Sequence, residues 1–166
     1  MIRKVKKEDA YDLWYLTKQT AEESEFLSRV AGEYNGTIEE NEVEILYAMQ
    51  EKNFYMLVDI EEGHVVGALQ LHRSSPRKKA RHKVELGIKI LEKYCNQGIG
   101  RKLMEAGIQK AKEEGYEMIT LSCMKENTRA IHLYESLGFI QYGELERAYL
   151  LLDGRYQSEI YMVKYL

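Results

Sequence analysis

Hydrophobic positions follow two periods along the chain, and the period changes from segment to segment. Alternating and β-branched apolar residues predict strands over residues 54–60, 65–71, 83–90, 118–124, 139–152 and 158–165, with a short candidate at 2–5. Apolar residues three and four positions apart predict helices over 10–19, 37–49, 99–114 and 128–137. This order predicts one three-layer α/β (α+β) domain over residues 1–166, with helices flanking a central mixed, mostly antiparallel sheet.

The stretch 82–103 carries the most information about chemistry. Its first half alternates as a strand, and its last part begins an amphipathic helix at Ile99. Gly98 and Gly100 stand where the strand must turn into the helix. The first amides of a helix lack internal partners and carry a partial positive charge, and glycine lets ligand oxygens approach the backbone. The pattern therefore predicts a phosphate-binding loop.

Two known classes of phosphate-binding loop do not fit this sequence. A Walker loop needs Gly-Lys-Ser/Thr, which is absent here, and a dinucleotide loop needs a third glycine where this chain has Leu103. Gly98-Ile99-Gly100 is compatible with a pyrophosphate-binding turn before a basic helix start. A plain tight turn is the alternative at this point.

Composition excludes several classes of protein. The chain has 166 residues, which suits one domain, and its single proline gives no sign of a long interdomain linker. Its formal net charge of −3 does not indicate a protein that binds nucleic acid. No apolar run reaches the ~20 residues of a membrane span, and the N-terminus resembles no signal peptide. Cys95 and Cys123 are too few for a disulfide framework and lack metal-ligand spacing. We therefore expect free thiols, no metal, no membrane partner and a reducing, cytoplasmic location.

A second motif identifies a family. Residues 127–139 read Asn-x-x-Ala-x-x-Leu-Tyr-x-x-x-Gly-Phe, one helix and one strand after the glycine loop. The two motifs in this order resemble those of the GNAT superfamily of N-acetyltransferases, over the chain from Phe54 onward. The tail 152–159 and Met162 resemble the branch of spermidine and ribosomal-protein N-terminal acetyltransferases. One difference is Cys95, where many members have Gln or Arg, so a side-chain phosphate contact there is not expected.

The resemblance implies acetyl-CoA as co-substrate and direct transfer to an amine. The strand end would pair its amides with the pantetheine arm, and one amide would stabilise the oxyanion. The loop and helix start would hold the pyrophosphate. The residues thereby implied in cofactor binding are Ile88, Lys89, Ile90, Asn96, Gln97, Gly98, Ile99, Gly100, Arg101, Lys102, Asn127, Ala130 and Tyr134.

Two residues are the catalytic candidates. Tyr134 stands where the family places a tyrosine beside the sulfur, and its ordinary pKa near 10 suits a proton donor to the leaving thiolate. Glu85 is the candidate base, directly or through water, with burial expected to raise its pKa. A core tyrosine and a solvated glutamate are the respective structural alternatives. Asn127 has helix capping as its alternative, and Lys102 a solvated helix face.

The acetyl acceptor is the part of the implied reaction that the sequence determines least. The resemblance favours a small, polyamine-like primary amine, with a protein N-terminal amine or a non-catalytic CoA sensor as alternatives. Eight glutamates between residues 22 and 44 could attract a cation such as a polyamine, although a solvated helix surface is the simpler explanation. The basic loop 73–83 is most simply a solvated loop. Family resemblance also predicts a homodimer through residues 148–152 or 158–165.

Overall fold

The computed structural model describes residues 1–51, 53–73 and 75–166. Four helices and seven strands are found within them. In chain order they are β1 (Ile2–Lys4), α1 (Ala10–Glu23), α2 (Ile38–Gln50), β2 (Phe54–Glu61), β3 (His64–His72), β4 (Lys83–Ile90), α3 (Ile99–Glu113), β5 (Met118–Met124), α4 (Thr128–Ser136), β6 (Ile140–Leu150) and β7 (Tyr156–Tyr165).

The strands form one mixed sheet in the order β1-β2-β3-β4-β5-β7-β6. Only β4 and β5 run parallel, and their pairing covers just Lys83–Glu85 of β4. Beyond Glu85, β4 continues to Ile90 along β3 but has lost its β5 neighbour. The predicted mixed, mostly antiparallel sheet is confirmed, and its one interruption is a wedge-shaped opening between β4 and β5.

Alternation along the central strands builds two hydrophobic cores, one on each face. Leu69 of β3 packs with α3 and α4, whereas its neighbour Ala68 packs with α1 and α2. Successive side chains of a strand point to opposite faces, so a continuous apolar strand can serve both layers. This arrangement gives the three layers that the element order predicted.

Local chemistry accounts for the element ends. Helix α2 begins with a capping box, in which the Glu40 amide donates to Thr37 Oγ1 at 3.2 Å and the Thr37 amide donates to Glu40 Oε2 at 2.9 Å. Helix α1 is longer than predicted and ends at Glu23, since Thr20 and Ala21 are buried and extend its packed face. Among the described residues, no helix is long and apolar enough to cross a membrane.

Candidate functional site

The opening between β4 and β5 is a cavity of about 340 Å³, here called the α3 cavity. It extends from the end of β4 to the beginnings of α3 and α4, and the end of α1 closes it from the other side. Ten of the predicted cofactor-binding residues line it: Ile88, Lys89, Ile90, Asn96, Gly98, Gly100, Arg101, Asn127, Ala130 and Tyr134. The sequence motifs therefore converge on one site.

The glycine loop presents a helix N-terminus to this cavity. Gly98 is the N-cap of α3, with φ of +81° and no side-chain cap on the first helical amides. A Cβ at Gly98 would meet no atom within 4 Å, so only the left-handed backbone requires glycine there. Asn96, with φ of +60°, is also left-handed, which asparagine tolerates. The amides of this turn are thus available to an anion.

The second glycine of the loop serves packing. A Cβ on Gly100 would approach Leu133 Cδ2 to 3.2 Å and Ile90 Cδ1 to 3.3 Å. Gly100 therefore lets α3 lie close to both α4 and β4, beside the cavity wall.

Three predicted contacts at this loop do not line the cavity. Ile99 is buried in the core, Gln97 donates from Nε2 to the Lys93 carbonyl oxygen at 2.7 Å, and Lys102 is exposed. The structure gives Lys102 the solvated position that was its alternative. Arg101 lines the cavity, and its Nη2 donates to Ser136 Oγ at 2.7 Å, which ties α3 to α4.

Tyr134 lies on the wall of the α3 cavity and also packs into the core. It is 6% exposed, and its ring centroid lies 6.0 Å from that of Phe139. Burial, with a smaller contribution from Cys123, raises the pKa of Tyr134 above its ordinary value of 10.0. The phenol therefore stays protonated at neutral pH and can donate a proton into the cavity. The structural and the catalytic interpretation are both compatible with this position.

Glu85 has a different environment from the one expected. It lies on the part of β4 that is paired on both sides, with His72 and Thr120 as strand partners. Its side chain is 44% exposed, and Oε2 lies 3.7 Å from His72 Nε2. The expected burial of this carboxylate is wrong, because its neighbour on the same strand face, Gly87, is exposed as well. Glu85 lies outside the α3 cavity lining.

Asn127 combines the two roles considered for it. Its side chain accepts a hydrogen bond from the Ala130 amide at 3.2 Å and so caps α4. The same residue lines the α3 cavity.

An ion pair lies at the cavity rim, and no pattern in the sequence indicates it. Arg129 on α4 makes two hydrogen bonds, of 2.8 and 2.9 Å, to the carboxylate of Glu92, which follows β4. These bonds hold the pKa of Glu92 below its usual range. The partners are 37 residues apart, so no local spacing pattern could have predicted the pair. It joins the two sides of the opening.

A second cavity, of about 400 Å³, lies between β4 and the α1–α2 layer and is here called the α2 cavity. Its lining is strongly polar and comes from α1, the segment after α1, α2 and β3. Three of the eight glutamates noted above line it, together with one arginine: Glu33, Glu40, Glu44 and Arg29. Lys89 lines both cavities. The two spaces therefore meet at one side chain of β4.

Cys95 and Cys123 are both free thiols, and burial raises the pKa of Cys123 to about 11. Within residues 1–51, 53–73 and 75–166, no group of three or more His, Cys, Asp or Glu side chains is arranged to hold a metal ion.

Comparisons with known proteins identify a family. Residues 10–139 match the model of the Acetyltransferase (GNAT) family. N-alpha-acetyltransferase 30 of Saccharomyces cerevisiae is 34% identical over 79 residues, which is 47% of this chain and 45% of that protein. The matched region spans less than half the length of this curated relative.

Two solved structures share the whole fold. The acetyltransferase of GNAT family from Streptococcus pneumoniae superposes with a TM-score of 0.94 at 27% identity, covering 100% of this chain and 99% of that one. YncA, a putative acetyltransferase from Salmonella typhimurium solved with its cofactor acetyl-CoA, has a TM-score of 0.89 at 19% identity, covering 100% and 93%. The family model spans most of the chain, and the predicted family is confirmed: the protein belongs to the Acetyltransferase (GNAT) family.

Proposed function

We propose that this protein is an acetyl-CoA-dependent N-acetyltransferase that transfers the acetyl group directly to a primary amine. The observation that carries the proposal is the α3 cavity itself. It has an uncapped helix N-terminus at one end and a protonated, buried phenol on its wall. A ligand with a pyrophosphate and a thioester needs both features. The acetyl-CoA bound to the YncA structure, which has the same fold, supports the choice of ligand.

The cofactor would be held mainly by backbone groups. The amides at Gly98 and Gly100 would bind the pyrophosphate at the start of α3. The free edge of β4 at Ile88–Ile90, which β5 leaves unpaired, would bond the pantetheine arm as a neighbouring strand does. One of these amides would also donate to the oxyanion of the tetrahedral intermediate. Asn127 and Arg101 border the same path.

Tyr134 would supply the proton that the leaving group needs. A thiolate with an ordinary pKa near 8.5 accepts a proton readily from a donor that lies beside it. Because Tyr134 is kept neutral by burial, it would hold its proton until the C–S bond breaks. Glu85 remains the sequence-based candidate for the base, and from its place outside the cavity it would act only through water.

The acceptor proposed first is a small, polyamine-like primary amine that enters by the α2 cavity. Glu33, Glu40 and Glu44 face this space and would attract a cation, with Arg29 as the opposing charge. An amine with a pKa near 10.4 is protonated at pH 7, and forming its free base costs about 4.6 kcal/mol. The site therefore needs a group that takes this proton.

A protein N-terminal amine is the second candidate acceptor. It is favoured by the similarity to N-alpha-acetyltransferase 30. An α-amine has a pKa near 8, so it needs less help from a base. A non-catalytic CoA sensor is disfavoured, because a sensor needs no proton donor such as Tyr134 beside the sulfur.

The predicted homodimer and cytoplasmic location belong to the same proposal. Strand β6 is a sheet edge, paired only with β7, and it exposes Ile140, Tyr142, Leu145 and Leu150. An apolar sheet edge of this kind is usually covered by a partner. Light scattering at micromolar concentration should give the mass of two chains, and the mass of one chain would contradict the dimer. The two free thiols suit a reducing compartment.

Mass spectrometry of acceptors tests the proposed function. The protein would be incubated with acetyl-CoA and, separately, with spermidine and with peptides that carry a free N-terminal amine. We expect an acetyl adduct on spermidine. An adduct only on the peptides would select the second candidate. Acetyl-CoA binding without any adduct would favour the sensor and reject the enzyme.

A further inference from the structure

Lys89 is the only described residue that lines both the α3 cavity and the α2 cavity. It is on the end of β4 that β5 leaves unpaired, opposite Ala68 of β3, and its side chain extends toward α1. There Lys89 Nζ donates a hydrogen bond to Thr17 Oγ1. A molecule spanning the two cavities would have to pass this amino group.

The hydrogen bonds of Thr17 determine which of the two groups, Lys89 or Thr17, is the donor in the bond between them. Thr17 Oγ1 donates to the Leu13 carbonyl oxygen at 2.8 Å, and a carbonyl oxygen can only accept. The hydroxyl proton is thereby committed, so Thr17 can accept from Lys89 but cannot donate to it. A neutral Lys89 amine bonded in this way keeps its lone pair free, because one N–H points to Thr17.

Burial, rather than the surrounding charges, favours the neutral form of Lys89. Burial lowers the pKa of Lys89 below its ordinary value of 10.5, Glu44 opposes this shift and Arg29 adds to it. In the described part of the chain no carboxylate forms an ion pair with Lys89, and Glu44 instead accepts from Gln70 Nε2 at 2.9 Å. The titratable and charged groups that line the two cavities together with Lys89 are Glu23, Arg29, Glu33, Tyr34, Glu40, Glu44, Glu92, Cys95, Arg101, Arg129 and Tyr134.

We propose that Lys89 is the general base that removes a proton from the acceptor ammonium at the junction of the two cavities. This inference rests on the proposed function and assigns the base of that same site. It also places acetyl donor and acceptor on opposite sides of β4, with the reacting nitrogen beside Lys89 Nζ.

The proton and electron balance follows from this placement. The Lys89 lone pair takes one proton from R-NH₃⁺, and the freed nitrogen lone pair forms the C–N bond to the thioester carbon. Collapse of the tetrahedral intermediate breaks the C–S bond, and Tyr134 Oη gives its proton to the sulfur. The attacking nitrogen then loses a second proton, which restores the Tyr134 phenol. Lys89 finally releases its proton to solvent, so the net products are CoA thiol, the amide and one proton.

Paired substitutions separate a base from a cation that merely binds. Lys89→Arg supplies a permanent positive charge and keeps a donor to Thr17, but arginine stays protonated and cannot act as a base. Lys89→Met removes both. With spermidine as acceptor, or whichever acceptor the mass-spectrometric test selects, both variants should lower kcat/KM about 10²-fold or more. Both should keep the acetyl-CoA affinity, because the backbone amide of residue 89 is unchanged. An Lys89→Arg enzyme with near wild-type kcat/KM would overturn the proposal.

The pH profile provides the second test. Activity that needs neutral Lys89 must fall as the pH drops through the Lys89 pKa, so wild-type kcat/KM should show an acid limb at that pKa. The pKa itself is measurable without any acceptor by following the Cε resonance of ¹³C-labelled lysine, with Lys89→Arg identifying the signal. We expect Lys89 to titrate below the other lysines. If the Lys89 signal titrates at the same pH as the exposed lysines, Lys89 is not the general base, whatever the activity data show.

These measurements distinguish the failure of this inference from that of the proposed function. If the wild-type protein acetylates no amine although the pKa of Lys89 is low, then the proposed function fails, and Lys89 has no acetyl transfer to catalyse. If an amine is acetylated and Lys89→Arg is as active as wild type, then the function stands and Lys89 is not the base.

Discussion

The α3 cavity and the α2 cavity share Lys89 but are built from different kinds of groups. The α3 cavity is walled by apolar side chains such as Ile88, Ile90 and Leu133, with backbone amides at its mouth. The α2 cavity is walled by charged and amide side chains of α2 and of the segment before it. Backbone groups and a few apolar contacts suit a cofactor of fixed shape. Side chains of both charges suit a polar or charged acceptor.

The difference between the two cavities indicates where specificity for the acceptor amine would lie. Changes in the α3 cavity should affect cofactor binding or the chemical step for every acceptor. Changes in the α2 cavity should alter which amine is used.

Tyr134→Phe is expected to have the largest effect. The ring and its contact with Phe139 are kept, and only the hydroxyl is lost. A proton donated in the transition state should lower kcat by about 10²–10⁴-fold and leave the acetyl-CoA affinity unchanged. Steady-state kinetics with calorimetric titration checks both. Near-normal kcat with a lowered melting temperature would show that Tyr134 is only a core residue.

Gly98→Val should weaken acetyl-CoA binding by about 10²-fold, because it would disturb the amides that meet the pyrophosphate, each worth about 1.5–3 kcal/mol. Gly115→Val is the matched control. Gly115 follows the other end of α3, has φ of +78° and, like Gly98, has no atom within 4 Å of a Cβ. Both variants carry similar backbone strain, but only one touches the cavity. Equal affinities in calorimetry would exclude the loop as the phosphate site.

Glu85→Gln tests the earlier candidate for the base. Glu85 lies outside the α3 cavity and is half exposed, so its loss should lower kcat/KM by less than the ~10²-fold expected for a general base. The comparison is with Lys89→Arg under the same conditions. A larger loss in Glu85→Gln than in Lys89→Arg would return the role of base to Glu85.

Asn127→Ala is expected to have the smallest effect of the four. Losing the cap of α4 should cost about 1 kcal/mol, and for a chain of this size the melting temperature should fall by about 2–4 °C. Asn127→Ser retains a capping oxygen and should recover most of that loss. If both variants melt like wild type, the cap contributes nothing to stability.

The α3 cavity could be predicted from the sequence because its features are local. A left-handed glycine before a helix and an asparagine cap are set by neighbours in the chain, and Gly98 and Asn127 mark them directly. The fold class could be predicted for the same reason, since each element shows its own period. Tyr134 was predicted from its position in the motif of residues 127–139, on the resemblance to the GNAT superfamily.

The α2 cavity and the rim could not be predicted, because they depend on distant parts of the chain. Arg129 and Glu92 meet across 37 residues, and Lys89 meets Thr17 across 72. The segment before α2 has no hydrophobic period, so nothing in the sequence indicates which of its charges face inward. The error at Glu85 has the same origin: alternation gives the strand face of a residue but not whether a helix covers that part of the face.

A crystal structure with CoA tests the central claim most directly. We expect the pyrophosphate at the amides of Gly98 and Gly100, the pantetheine along Ile88–Ile90, and the sulfur within about 3.5 Å of Tyr134 Oη, near enough for a hydrogen bond. The side of the sulfur away from Tyr134 should open toward Lys89 Nζ. CoA bound outside the α3 cavity, or with its sulfur remote from Tyr134, would contradict the account.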